Sequence, residues 1–251
     1  PKRLVELRVP RRDLAKVKLA RDHAEDATSR DAEVHVRETE QWPRAEAGEE
    51  ARLAVAGCHA LLEPGEGDAL VFDIGGGSTE LVRLEMRGGT PAIGDWISLP
   101  WGVVSLAESE APCNGDAAAH IAAYERMRLR VVAALDGFTP TARAPLRLLG
   151  TSGTVTTLAS VWLKLPAYER RAVDGVHVPV DEMRAIGRWL AGMSIAERSR
   201  VPCIGPERAD LVVAGCAILE AILDLWPAPR VGVADRGIRE GILRSLMRLD
   251  S

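Results

Sequence analysis

Val71-Phe72-Asp73-Ile74-Gly75-Gly76-Gly77-Ser78-Thr79-Glu80 is the stretch on which the fold turns. Ala69 to Ile74 is an apolar run of strand length, three glycines break it, and Thr79 to Glu85 reads as a second strand. A two-residue hairpin turn needs positive φ at both central positions, which glycine adopts without steric cost, so Gly76-Gly77 is expected at the turn. That register pairs Gly75 with Ser78, Ile74 with Thr79 and Asp73 with Glu80. Two carboxylates then oppose each other on one face, which destabilises a sheet unless something compensates them. A hard cation such as Mg²⁺, held directly or through water, compensates them economically. The glycines also leave backbone amides open to phosphate oxygens, and Ser78 and Thr79 add hydroxyls. The bland alternative is a plain hairpin with solvated acids. It does not account for three consecutive glycines, whose entropy cost exceeds what a turn requires.

Working outward, Gly150-Thr151-Ser152-Gly153-Thr154 follows a short apolar strand, Leu146 to Leu149, and precedes a helix running to Leu163. A helix N-terminus presents unpaired N–H groups and partial positive charge, so this loop is a second candidate for phosphate. The alternative is that Thr151 or Ser152 is a simple helix cap, and both readings stand. Between the two loops, Ala92 to Leu99 reads as a third strand, followed by a short helix after Val103 and a long one from Asp116 to Leu135. Helical patterns cover 180–192 and 206–226, Arg230 to Val233 is a last strand, and Ile238 to Arg248 a last helix. Upstream, a helix is expected over Asp13 to His23, and another begins at the acidic cluster Glu46, Glu49 and Glu50. An early hairpin followed by strands alternating with helices argues for an α/β fold with a mixed sheet.

Composition narrows the partners. Apolar residues are 47% of 251 residues, ample for a buried core, and the net charge of −4 argues against a nucleic-acid surface. A phosphate-rich ligand would therefore be met locally, by amides and a bound cation. No run reaches the roughly 18 apolar residues of a membrane span, and the charged N-terminus has no signal-peptide core. The four cysteines lack CxxC spacing, so neither a disulfide framework nor a zinc site is expected, and Cys58 and Cys216 read as buried free thiols. A cytoplasmic location is expected.

Phosphoanhydride hydrolysis needs a group to orient or deprotonate water. Glu50 shares a helical face with Ala54 and Gly57, small residues that permit close packing, and is a candidate. Its alternative role is to complement the helix dipole beside Glu46 and Glu49.

Asp73 to Glu80, "DIGGGSTE", resembles the signature of the exopolyphosphatase/guanosine-pentaphosphate phosphatase family, within the actin-like ATPase superfold. "GEEARLAVAGC" (48–58), "SLPWGVVSLAE" (98–108), "LLGTSGTVTTLA" (148–159), "ERADLVVAGCAIL" (207–219) and "ADRGIREGIL" (234–243) follow in the family's order, so the resemblance spans about 46–250. It implies actin-like (RNase H-like) mixed-sheet domains flanked by helices, and hydrolysis of the terminal phosphoanhydride of inorganic polyphosphate or guanosine pentaphosphate with Mg²⁺. By the same resemblance Glu50 is the catalytic base and Asp73 and Glu80 are metal and water ligands. Gly75, Gly76, Gly77, Ser78 and Thr79, and Gly150, Thr151, Ser152, Gly153 and Thr154, contact phosphate. A homodimer is implied.

The front end departs from the family. Ala27 to Ala32 resembles the family's "ATSAxRDA" with two residues missing, and the family's own first phosphate loop has no counterpart in 1–45. The expected organisation is an incomplete N-terminal domain over 1–45, on which a C-terminal helix over 236–251 packs, and a second actin-like domain over 46–235. Arg30 is the phosphate-binding arginine by resemblance, with a solvated surface arginine as its alternative. Rival readings are an ATPase or sugar kinase of the same superfold, and a non-catalytic polyphosphate or alarmone-binding module.

Overall fold

A computed structural model describes residues 8–9, 37–38, 55, 57–62, 67–87, 90–110, 115–138 and 146–235. The chain divides into two compact units, Pro1–Glu46 and Ala47–Ser251. In the first, β1 (Arg8–Val9) and β2 (Arg37–Glu38) pair in parallel, Arg8 opposite Arg37. The expected helices over 13–23 and 238–248 lie outside the described residues, as do Arg30, Glu50 and the segment 236–251.

The second unit is built on a six-stranded sheet in the order β5-β4-β3-β6-β8-β7. Its strands are β3 (Ala69–Ile74), β4 (Thr79–Arg87), β5 (Thr90–Leu99), β6 (Arg147–Thr151), β7 (His177–Pro179) and β8 (Arg230–Ala234). β3, β6 and β8 run parallel, β5 shares their direction, and β4 and β7 run against them, so the sheet is mixed as expected. β3 is apolar on both faces because both are covered, the habit of a parallel strand at a sheet centre. Leu70, Phe72 and Ile74 enter a large core shared with the helices, and Ala69 and Val71 a smaller one with Val55, Cys58, Val82, Leu84, Leu149 and Ala234.

The helical layer comprises α1 (Val103–Glu108), α2 (Ala117–Ala134), α3 (Gly153–Trp162), α4 (Arg170–Val173), α5 (Val180–Ala191), α6 (Ile195–Arg198) and α7 (Val212–Leu225). α7 is its axis, with Val212 to Leu223 all buried, packed by α1, α2, α3 and α5. Its one buried acid, Glu220, accepts from the Tyr124 hydroxyl, from Arg184 Nη1 (2.9 Å) and from Arg188 Nε (3.1 Å). A carboxylate this deep requires such partners, because an unpaired buried charge costs several kcal/mol (~3–5). Cys58 and Cys216 are buried free thiols as read from the sequence, and burial pushes the Cys216 thiol up to about 12.

Two expected elements differ in detail, and β1, β2, β7, α4 and α6 have no counterpart in the expected pattern. The helix read over 206–226 begins only at Val212, since 206–211 is a set of turns in which the Leu211 and Val212 amides both donate to the Arg208 carbonyl. β5 carries a bulge, with Gly94 and Asp95 set opposite Arg83, whose Nε and Nη2 both reach Asp95 Oδ2 (3.1 and 2.9 Å). A Cβ on Gly94 would lie 2.9 Å from Arg83 Nη2, so a larger residue there would displace the guanidinium from Asp95.

Candidate active site

The three parallel strands end on one edge of the sheet, where their following loops converge. This is the usual place for a ligand on an open α/β sheet. Near the ends of the ladders, directly paired residues line up as Ser98 on β5, Glu80 on β4, Asp73 on β3, Thr151 on β6 and Ala234 on β8. Directly paired residues point to the same face, so one row crosses five strands at the sheet's loop-bearing edge, polar at four positions and apolar at Ala234. It continues the smaller core's face, to which Val71, Val82 and Leu149 belong. Asp73 and Glu80 oppose each other in the register read from the sequence, and Ser98 Oγ donates to Glu80 Oε1 at 2.9 Å. Thr151 is 2% exposed, and its Oγ1 has no hydrogen-bond partner. A buried hydroxyl left bare costs about 1–3 kcal/mol, which makes Thr151 the row's unsatisfied member.

The glycine hairpin corrects one expectation. Gly75, Gly76 and Gly77 do not adopt positive φ, so left-handed backbone is not why they are glycine. Only the Gly75 amide closes the turn, on the Ser78 carbonyl (2.9 Å), while the Gly75 carbonyl accepts instead from the Val103 amide (2.9 Å). Close approach accounts for Gly75 alone, where a Cβ would press the Ser78 carbonyl at 3.0 Å, while Gly76 and Gly77 have open space around them. Thr79 is corrected too. It is fully buried and its hydroxyl donates to the Trp101 carbonyl (2.7 Å), pinning the hairpin to the segment before α1 rather than offering a hydroxyl to phosphate. Gly76, Gly77 and Ser78 stay at least partly exposed, and among the described residues their amides donate to no protein acceptor.

At the second loop Ser152 is the N-cap, its hydroxyl accepting from the Val155 amide at 3.3 Å, so of the two candidate caps it is Ser152 that does the capping. Among the described residues the Gly153 and Thr154 amides of the first turn donate to no protein acceptor. Gly150 is glycine for packing, since a Cβ would lie 2.7 Å from the Phe72 ring and 2.8 Å from Val155 Cγ2. Thr154 is buried against Gly215 of α7. A basic group that sequence reasoning missed stands beside this loop: Arg208 Nη1 donates to Thr157 Oγ1 (3.1 Å) and would lie 3.9 Å from a Cβ on Gly153.

The end of β8 forms the third wall. Asp235, next after Ala234, receives Arg170 Nε on Oδ2 (3.0 Å) and Nη2 on its carbonyl (2.5 Å), and its amide donates to Asp174 Oδ1 (3.0 Å). Burial, and next to it the neighbouring Asp235 carboxylate, push the Tyr168 phenol up to about 12. No single stretch of sequence signals these contacts, which join segments some sixty residues apart.

The donor set suits Mg²⁺. That ion takes one or two protein carboxylates and fills its octahedron with substrate phosphates and water. Asp73 and Glu80 offer that pair, and among the described residues no group of three His, Cys, Asp or Glu forms an all-protein cage.

The family model described as "Ppx/GppA phosphatase family" matches residues 46–249, spanning both loops, the polar row and α7. The chain belongs to the Ppx/GppA phosphatase family. Among relatives, Exopolyphosphatase 2 of Mycobacterium tuberculosis is 27% identical over 207 residues, covering 79% of this chain and 61% of the relative. A putative exopolyphosphatase of Haemophilus influenzae is 27% identical over 200 residues, covering 78% and 57%. The chain thus spans about three fifths of the length of these curated relatives. A crystal structure of the Aquifex aeolicus Ppx/GppA family member matches with a TM-score of 0.70 at 25% identity, covering 98% of this chain and 75% of that one. The Ppx/GppA neighbours carry the actin-like fold, in agreement with the mixed sheet and its helical layer.

Proposed function

We propose that the protein is a phosphoanhydride hydrolase that releases the terminal phosphate of inorganic polyphosphate or guanosine pentaphosphate with Mg²⁺. The observation that carries this reading is the row Ser98–Glu80–Asp73–Thr151 set between two loops whose amides are open. Backbone N–H groups of Gly76, Gly77 and Ser78 on one side and of Gly153 and Thr154 on the other would hold phosphate oxygens, as amide nests and helix N-termini do. Fixed dipoles of this kind need no reorganisation as charge develops in the transition state. Asp73 and Glu80 would hold the cation, with Ser98 orienting Glu80. When bound, the cation neutralises charge on the phosphate oxygens. The Thr151 hydroxyl would give its free proton to a phosphate oxygen or an ordered water. Glu50, by the family resemblance, would take the proton of the attacking water.

The test is phosphate release from long-chain polyphosphate and from guanosine pentaphosphate, with Mg²⁺ or with EDTA. Metal-dependent release is expected, and Glu50→Gln should reduce turnover by orders of magnitude with the fold intact. Near-normal turnover in that variant removes Glu50 from the mechanism, and no release from either substrate overturns the reading. The proposal includes a homodimer, which light scattering checks. Among the described residues no helix is long and apolar enough to cross a membrane.

A further inference from the structure

We infer that Ser105, seated against Gly102, is the positioning residue of the phosphate loop, acting through the carbonyl side of the glycine hairpin. The inference rests on the reading that this hairpin holds phosphate. All three glycine carbonyls are gripped by the first turn of α1. The Val103 amide donates to Gly75 O (2.9 Å), the Val104 amide to Gly76 O (2.8 Å), and Ser105 Oγ to Gly77 O (3.2 Å). In a trans peptide the C=O of one residue and the N–H of the next point in opposite directions. Gripping these three oxygens therefore turns the N–H groups of Gly76, Gly77 and Ser78 to the side away from α1. Those are the amides that have no protein acceptor among the described residues. The six-residue helix thus spends its own N-terminus on aiming its neighbour's amides.

Gly102 makes the approach possible. A Cβ there would lie 2.5 Å from Gly75 O and from the carbonyl carbon and oxygen of Gly76, and backbone atoms cannot swing aside as a side chain can. Ser105 then fastens the arrangement: its Oγ accepts the Gly102 amide (2.8 Å), and its single proton serves Gly77 O at 3.2 Å or Gly102 O at 3.3 Å. An anion on the N–H side polarises the Gly77–Ser78 peptide and makes Gly77 O the better acceptor, because hydrogen bonds in series reinforce one another. Ser105 and a bound phosphate are in this way coupled through one peptide, although they stand on opposite sides of it.

The experiment is calorimetric binding of inorganic tripolyphosphate with Mg²⁺ to the wild-type chain, Ser105→Ala and Ser105→Thr, with melting temperatures and steady-state phosphate release. Ser105→Ala should bind about tenfold more weakly, the size of one net hydrogen bond. The loss should appear in KM rather than in kcat, with melting unchanged to within about 2 °C, and Ser105→Thr should restore the affinity. Wild-type affinity in Ser105→Ala overturns the inference and leaves the proposed function standing. Loss of folding in that variant, or a loss of affinity that Ser105→Thr does not restore, assigns Ser105 a structural role and equally overturns it. Failure of the wild-type chain to bind tripolyphosphate overturns both.

Discussion

The two glycine-rich loops look alike in sequence and are built for different reasons. At 76–77 glycine keeps backbone exposed: a Cβ on Gly77 would meet nothing within 4 Å, and one on Gly76 only Val104 at 3.9 Å. At 150 glycine keeps backbone close: a Cβ would strike Phe72 and Val155, which seat β6 against β3 and the start of α3. One loop offers amides because nothing covers them, and the other because a helix begins there with its cap already supplied by Ser152. A glycine count measures neither property. The three-dimensional neighbours of each missing Cβ do.

Four substitutions probe that contrast, taken from the largest expected effect. Asp73→Asn removes one carboxylate of the polar row next to the exposed loop. Metal-dependent phosphate release should fall about a hundredfold or more, since preorganised charge at the reacting group contributes on that scale, with little change in melting. Retained activity would detach the row from the chemistry. Gly150→Ala should act on stability, losing about 1–3 kcal/mol to overpacking in the seam between β3, β6 and α3. Urea unfolding reads this directly, and a neutral result would mean that Phe72 yields and that the two loops are alike after all.

Thr151→Val separates fold from function by sign. Removing a bare buried hydroxyl should leave stability unchanged or raise it by up to about 1 kcal/mol, while tripolyphosphate affinity falls. Raised stability with undiminished affinity would make Thr151 a packing residue. Gly77→Ala is the smallest effect on the fold, within about 0.5 kcal/mol as for open surface positions. There the new methyl should weaken tripolyphosphate binding only, and a loss of stability comparable to Gly150→Ala would erase the distinction drawn above.

Much of the site was legible because its parts are local. Asp73 opposite Glu80 follows from counting outward from the glycines. The pairing holds although the turn itself does not use the left-handed backbone on which the count was first justified. Ser78 stays at the surface of the hairpin, and Ser152 proved to be the cap. Thr79 was misjudged because alternation assigns a face, not a neighbour. It falls on the face of Leu81, which is buried in the larger core, and Trp101 takes its hydroxyl. Ser98, Ser105, Arg208 and Asp235 carried no local signal. Each matters through a partner 18 to 65 residues away.

The sequence by itself determined five of the six strands of the main sheet, most helices, the hairpin register and the family, because periodicity, turn chemistry and a run of linked motifs are properties of neighbours along the chain. Only the tertiary structure decided that five strands bring Ser98, Glu80, Asp73, Thr151 and Ala234 into one row, and that α1 grips the glycine carbonyls. It also decided which glycines are open and which are crowded. The reason is physical: strand order, and the neighbours that fill or spare the space of an absent Cβ, arise from contacts between segments distant in sequence. Packing of the whole sheet and its helices selects those contacts, and no local propensity does.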